Sequence, residues 1–203
     1  MNNTILTYIR KLVVTGALGA LAVFLGITRL GFFPWFSGAS ITILHIPAII
    51  GAVLEGPFVG AGIGAIFGIF SLIQANIAPN TPIDVAFRHP LVSVLPRILF
   101  PLVTWGLFFL ISKWKKIPAV IVSAVAGTLV HTVLVLTMLV LTNGSGILTG
   151  GAEGVTVWAV VGAIFVANGI PECVAAGILA TLVIAAKLGI ASSKRSKLSS
   201  EDK

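Results

Sequence analysis

Three polar residues, Arg97, His131 and Asn168, interrupt long apolar runs. A charged group in hydrocarbon costs about 2.5–3.5 kcal/mol on insertion scales, so its presence there points to a use. Counted from the outer ends of their expected helices at about 1.5 Å per residue, Arg97 lies roughly 10 Å deep. His131 and Asn168 fall at a similar level on two other helices, and Glu172, one turn after Asn168, shares its face. A cation, an imidazole and an amide at one depth are suited to hydrogen-bonding the polar groups of an amphipathic small molecule. His45 and Gln74 stand nearer the rim. Trp35 and Trp158 border the same side and offer ring faces to apolar groups.

Each residue also has a purely structural reading. Arg97 and Glu172 can form a buried ion pair. His131 can link two helices through a hydrogen bond. Asn168 can satisfy backbone groups freed by Pro171, and the tryptophans can anchor the chain at the membrane surface.

Several chemistries are excluded. The single cysteine, Cys173, allows neither an internal disulfide nor a multi-cysteine metal site. There is no phosphate-cradling Gly-x-x-x-x-Gly-Lys-[Ser/Thr] loop and no His-Glu-x-x-His, and the carboxylates are too scattered for a paired-acid site. An intramembrane serine protease using Ser145 and His131 is disfavoured, because Asn143-Gly144-Ser145-Gly146 reads as a loop that holds no serine against a base. Neither catalysis nor a cofactor or metal is expected.

The elements that must carry these residues are membrane helices. The 203 residues are 57% hydrophobic and 9% charged, with a mean hydropathy of +1.11, outside the soluble range. The net charge of +7 does not imply nucleic-acid binding, because the basic residues cluster at the ends of apolar runs. The first span covers roughly 8–29 and reads as a retained helix rather than a cleaved leader. Residues 41–75 are too long for one crossing and are divided by Glu55-Gly56-Pro57 into two short spans. Residues 74–90 form a polar loop, 91–112 a fourth span and 118–142 a fifth. Residues 143–154 form a glycine-rich loop. A sixth span runs over 157–187, bent at Pro171.

The expected fold is therefore an all-α membrane protein, a compact bundle of six transmembrane helices in one domain over 1–190, with a disordered polar tail over 191–203. Ten lysines and arginines fall on one side and only Arg29 and Arg88 on the other, which places both termini in the cytoplasm by the positive-inside rule. Gly60, Gly64 and Gly68 recur at intervals of four, as do Gly16 and Ala20. Such faces let helices approach closely, either inside the bundle or against another membrane protein.

Taken together, certain segments resemble the substrate-binding S components of energy-coupling-factor vitamin transporters. They are His45-Ile46-Pro47-Ala48-Ile49-Ile50-Gly51-Ala52 running into Gly56-Pro57, the glycine-striped third span, Ser93-Val94-Leu95-Pro96-Arg97-Ile98-Leu99, and Asn168-Gly169-Ile170-Pro171-Glu172. Within that group the pantothenate-type branch is the most similar, ahead of the riboflavin, folate or cobalamin types. The resemblance implies a bacterial plasma-membrane subunit that captures a vitamin at the outer face under loops one, three and five, performs no chemistry, and topples to deliver its ligand. It implies as partners a membrane coupling subunit, the T component, and two cytoplasmic ATPases. Docking would use Gly16, Ala20, Gly60, Gly64 and Gly68; Gly16-x-x-x-Ala20 stands where the family carries Ala-x-x-x-Ala. The ligand contacts implied are Arg97 for a carboxylate, Asn168 and His131 for amide or hydroxyl groups, Gln74 and His45 at the rim, Trp35 or Trp158 over the methyls, and Glu172 orienting Arg97 or accepting from a hydroxyl.

Overall fold

A computed structural model describes residues 3–34, 40–79, 82–149 and 156–201. Five helical segments are long and apolar enough to cross a membrane: Asn3–Ile27, Pro57–Ile77, Pro90–Ile111, Lys116–Thr142 and Val157–Lys187. The first is α1 (Asn3–Ile27) and the second α3 (Pro57–Ile77). Between them lies α2 (Ile46–Glu55), only ten residues long. Every residue of α2 except Leu54 is buried, as expected for a helix that is apolar on all sides.

α2 forms the centre of the bundle. Ile46, Ile49, Ile50 and Val53 pack with Val59 and Ile63 of α3, with Phe100, and with residues of the helices that follow. Pro57 cannot extend α2, and Gly56 turns the chain with φ of +104°, a conformation glycine reaches without steric cost.

The second expected span is thus shorter than foreseen, because its first residues are not helical. Phe32–Pro34 (β1) pairs antiparallel with Ser40–Thr42 (β2), setting Phe32 opposite Thr42 and Phe33 opposite Ile41. Aromatic and β-branched residues favour such a ribbon. Beyond α3, the polar connection folds into two short helical turns, α4 (Pro82–Ala86) and α5 (Pro90–Ser93), before α6 (Leu95–Ile111). α7 (Lys116–Thr149) carries its backbone helix through Asn143–Thr149, where the sequence suggests a loop. Once nucleated, each added residue gains one backbone bond, which outweighs the modest helix-breaking tendency of two glycines.

The last span is divided. α8 (Val157–Ile164) passes through a π-helical turn at Phe165–Gly169 into α9 (Ile170–Glu201). Pro171 has no N–H to give and its ring crowds the preceding turn, and the wider π turn relieves both problems. The expected bend is therefore a local widening that contains Asn168.

The α3 glycine stripe faces inward. A methyl at Gly64 would overlap the Arg97 carbonyl, one at Gly68 would lie 2.8 Å from the Ser93 oxygen, and one at Gly60 would lie 2.5 Å from Ala52 Cβ. These three glycines seat α3 on α6 and α2, which corrects their reading as a docking face. Gly16 has open space around it and, with Ala20, lies on the exposed side of α1.

At the far end of α2 from His45 sits a buried charge that the sequence marks only as a helix stop. The Glu55 side chain is 2% exposed and meets Arg10 at 2.6 Å and Lys187 at 3.2 Å. A carboxylate at a helix C-terminus is opposed by the helix dipole, so the two cations from the first and last spans offset both that field and the burial cost. They are themselves more than half exposed, so losing either one should cost no more than about 1 kcal/mol. Removing both leaves the buried carboxylate unpaired, and Arg10→Ala/Lys187→Ala should lose about 3 kcal/mol, well above the sum of the single variants. Thermal unfolding of the four proteins in detergent measures this.

Candidate functional site

The end of the bundle opposite Glu55 gathers His45, Arg97 and His131, all buried. His45 precedes the first turn of α2 at the end of the hairpin. Arg97 lies in the first turn of α6, set by Pro96 at the helix start. His131 comes from the middle of α7.

The His45 and His131 rings stack with centroids 5.5 Å apart and planes 15° from parallel. Phe100, one turn after Arg97 on α6, packs against His131 at 4.9 Å, and Phe67 of α3 lies 6.5 Å away. The Arg97 guanidinium lies over two aromatic rings, 5.5 Å from the Phe67 centroid and 4.9 Å from that of Phe87. Such cation–π contacts stabilise a charge that little water reaches. Arg97 Nη1 also donates to the Val92 carbonyl.

The hydrogen-bond inventory of this cluster is incomplete. His45 Nε2 lies 3.2 Å from Thr128 Oγ1. That hydroxyl gives its proton to the Ala124 carbonyl, so it must accept from His45. In the neutral ring this leaves His45 Nδ1 as an unused acceptor. Arg97 Nε is an unused donor, and both nitrogens of His131 have no partner. Among the described residues, five buried side-chain polar atoms lack a partner, and these nitrogens are four of them. Buried polar groups in native proteins are nearly always bonded, so a concentration like this indicates a place where something else supplies the partners.

Glu172, in the first turn of α9, is buried and accepts two bonds from Thr42 at its Oε1, one from the backbone N–H at 2.8 Å and one from the hydroxyl at 3.0 Å. It forms no ion pair with Arg97; the two charges act on each other only at longer range. The ion-pair reading of these residues is thereby corrected. The Glu172 carboxylate goes to the strand that leads into His45.

The other expected contacts are more dispersed. Asn168 lies half-buried in the π turn, one turn before Glu172, and has its own partner. Gln74 is half-buried near the end of α3. Trp158 is 75% exposed, which fits a surface anchor and not a cover over the cluster. Trp35 lies outside the described residues.

Sequence reasoning missed Phe67, Phe87, Phe100, Thr42 and Thr128. Two had a signal: Phe100 and Thr128 sit three residues from Arg97 and His131, hence on the same helix faces. Thr42 and Phe87 reach the cluster from outside the long helices, which no periodicity reveals.

A family profile for the substrate-specific component of ECF transporters matches residues 10–184. The chain belongs to that family. It is a transporter component and, by the apolar helices it carries, a multi-pass membrane protein. It is also similar to the "Pantothenic acid transporter PanT" of Lactococcus lactis subsp. cremoris, 30% identical over 162 residues that cover 71% of this chain and 76% of the relative. The "Pantothenate transporter PanT" of Leuconostoc mesenteroides subsp. mesenteroides is 34% identical over 90 residues, 43% of each chain.

Proposed function

We propose that this chain captures pantothenate at the outer face of a bacterial membrane and delivers it to an energy-coupling module. The observation that carries this reading is the set of four unpartnered nitrogens on His45, Arg97 and His131. Pantothenate is a monoanion with hydroxyls and a central amide. Arg97 supplies a fixed positive charge and a free Nε–H for the carboxylate, a charge-assisted bond that offsets the cost of burying the cation. His45 Nδ1 accepts from a hydroxyl or the amide N–H. His131, with one donor and one acceptor as the neutral ring, serves either side of the amide. Asn168 and Gln74 complete the polar boundary, and Phe67, Phe87 and Phe100 cover the methyls. The names of the two relatives support the choice of vitamin.

In this reading α2, with the residues leading into it, completes a sixth crossing. Both termini then lie in the cytoplasm, where ten of the basic residues fall. The T component docks on the exposed small-residue face of α1 at Gly16 and Ala20, and two ATPases drive the toppling that turns the chamber inward.

Calorimetry on the purified protein tests the ligand. Pantothenate should bind with Kd of about 1 μM or lower, about −8 kcal/mol. Its alcohol analogue, which lacks the carboxylate, should bind at least about thirtyfold more weakly. Equal binding of the two removes the Arg97–carboxylate contact, and binding of riboflavin or folate in place of pantothenate changes the vitamin. Uptake into vesicles by this chain alone, without the coupling subunits, would refute the proposed division of labour.

A further inference from the structure

We infer that Glu172 is a positioning residue for His45, acting through Thr42. The inference rests on the His45–Arg97–His131 cluster being the ligand site, and it assigns Glu172 a role other than direct contact with the vitamin. The path is short and continuous. Glu172 Oε1 accepts both the backbone N–H and the hydroxyl of Thr42. Thr42 is the last residue of β2 and stands three positions before His45.

The intervening residues have little freedom. Ile43 N–H donates to the Gly31 carbonyl at 3.0 Å, and Ile46 N–H donates to the Ile43 carbonyl at 3.1 Å. Leu44 is 2% exposed, packed with Ala22 and Phe67. Holding Thr42 therefore sets where the strand ends and where the first turn of α2 begins. His45 leaves the strand at that point, and its ring can meet both Thr128 and His131 only if the start of α2 is correctly placed.

The carboxylate is suited to this task. A strand end beside a helix start has an N–H with no sheet partner, and an acceptor that takes both donors of one threonine fixes its position along and across the chain. The last span thus sets the ligand-facing geometry of α2 through a side chain that points at backbone.

Three variants test the inference in the ligand-free protein and in its complex. The first readout is the nitrogen chemical shifts of the His45 imidazole in detergent-solubilised, histidine-labelled protein, assigned by their loss in His45→Phe. The second is the Kd for pantothenate. Glu172→Leu should move or broaden the His45 signals and weaken binding about tenfold or more. Glu172→Gln, whose amide oxygen can accept the same two bonds, should restore the His45 signals and most of the affinity. Thr42→Val, which keeps the backbone bond and loses the hydroxyl, should fall between them.

His45 signals unchanged in Glu172→Leu overturn the inference. Equal losses of affinity in Gln and Leu variants, with His45 unmoved, would mean that Glu172 acts on the ligand by its charge. If Glu172→Leu does not fold, Thr42→Val decides, and a wild-type His45 spectrum there is a refutation. A wild-type protein that ignores pantothenate while Glu172→Leu still shifts His45 would sink the vitamin reading and leave the Glu172–His45 link standing.

Discussion

Arg97→Ala is expected to lose about 2–5 kcal/mol of pantothenate binding, at least thirtyfold in Kd, because it removes the buried cation proposed to pair with the ligand carboxylate. The fold should change much less. Truncation forfeits the bond to the Val92 carbonyl and the stacking on Phe67 and Phe87, but it also removes a buried cation without an ion-pair partner, and the two effects oppose each other. Stability should therefore stay within about 2 kcal/mol of wild type. Arg97→Lys should recover only part of the affinity, since an ammonium keeps the charge but not the planar fork that fits both a carboxylate and two aromatic faces. Calorimetry alongside a thermal melt separates the two quantities. Full affinity in the alanine variant would remove Arg97 from the site.

Gly64→Ala should show the opposite balance, a large loss of stability that carries the site with it. Pro101 has no N–H for the carbonyl of Arg97 four residues earlier, so that carbonyl turns to the neighbouring helix and lies against Gly64. A methyl there collides with backbone, which cannot rotate away as a side chain can. Overpacking of this kind costs roughly 3 kcal/mol or more, equivalent to about 6–12 °C in melting temperature for a chain of this length. Because the displaced carbonyl belongs to Arg97, affinity should fall about tenfold or more. Gly16→Ala is the control: inside α1 it meets nothing within 4 Å, so it should leave ligand affinity unchanged and raise stability by no more than about 1 kcal/mol.

The Gly60–Gly64–Gly68 stripe illustrates how far periodicity carries. Its spacing correctly marks a face of close helix approach, but the same spacing serves an internal or an external neighbour. Only the placement of α6 shows that the neighbour is Arg97's own helix. Glu55 makes the same point in reverse. As a charge beside Gly-Pro it reads as a turn signal, and its two cations lie 45 and 132 positions away.

Sequence alone determined that the chain lives in a bilayer, roughly where its apolar spans lie, and that Arg97, His131 and Asn168 are too costly to bury in hydrocarbon without purpose. Those conclusions depend on hydropathy, helix rise and the price of an ion in hydrocarbon, all of which are local or additive along the chain. Tertiary structure decided the rest. It set α2 at the centre as a ten-residue helix, placed the β1–β2 hairpin before it, directed Glu172 to Thr42 instead of Arg97, turned Trp158 outward, and widened the last span at Asn168. Each of these outcomes depends on which distant residues share a few ångströms of space, and neither composition nor period records that.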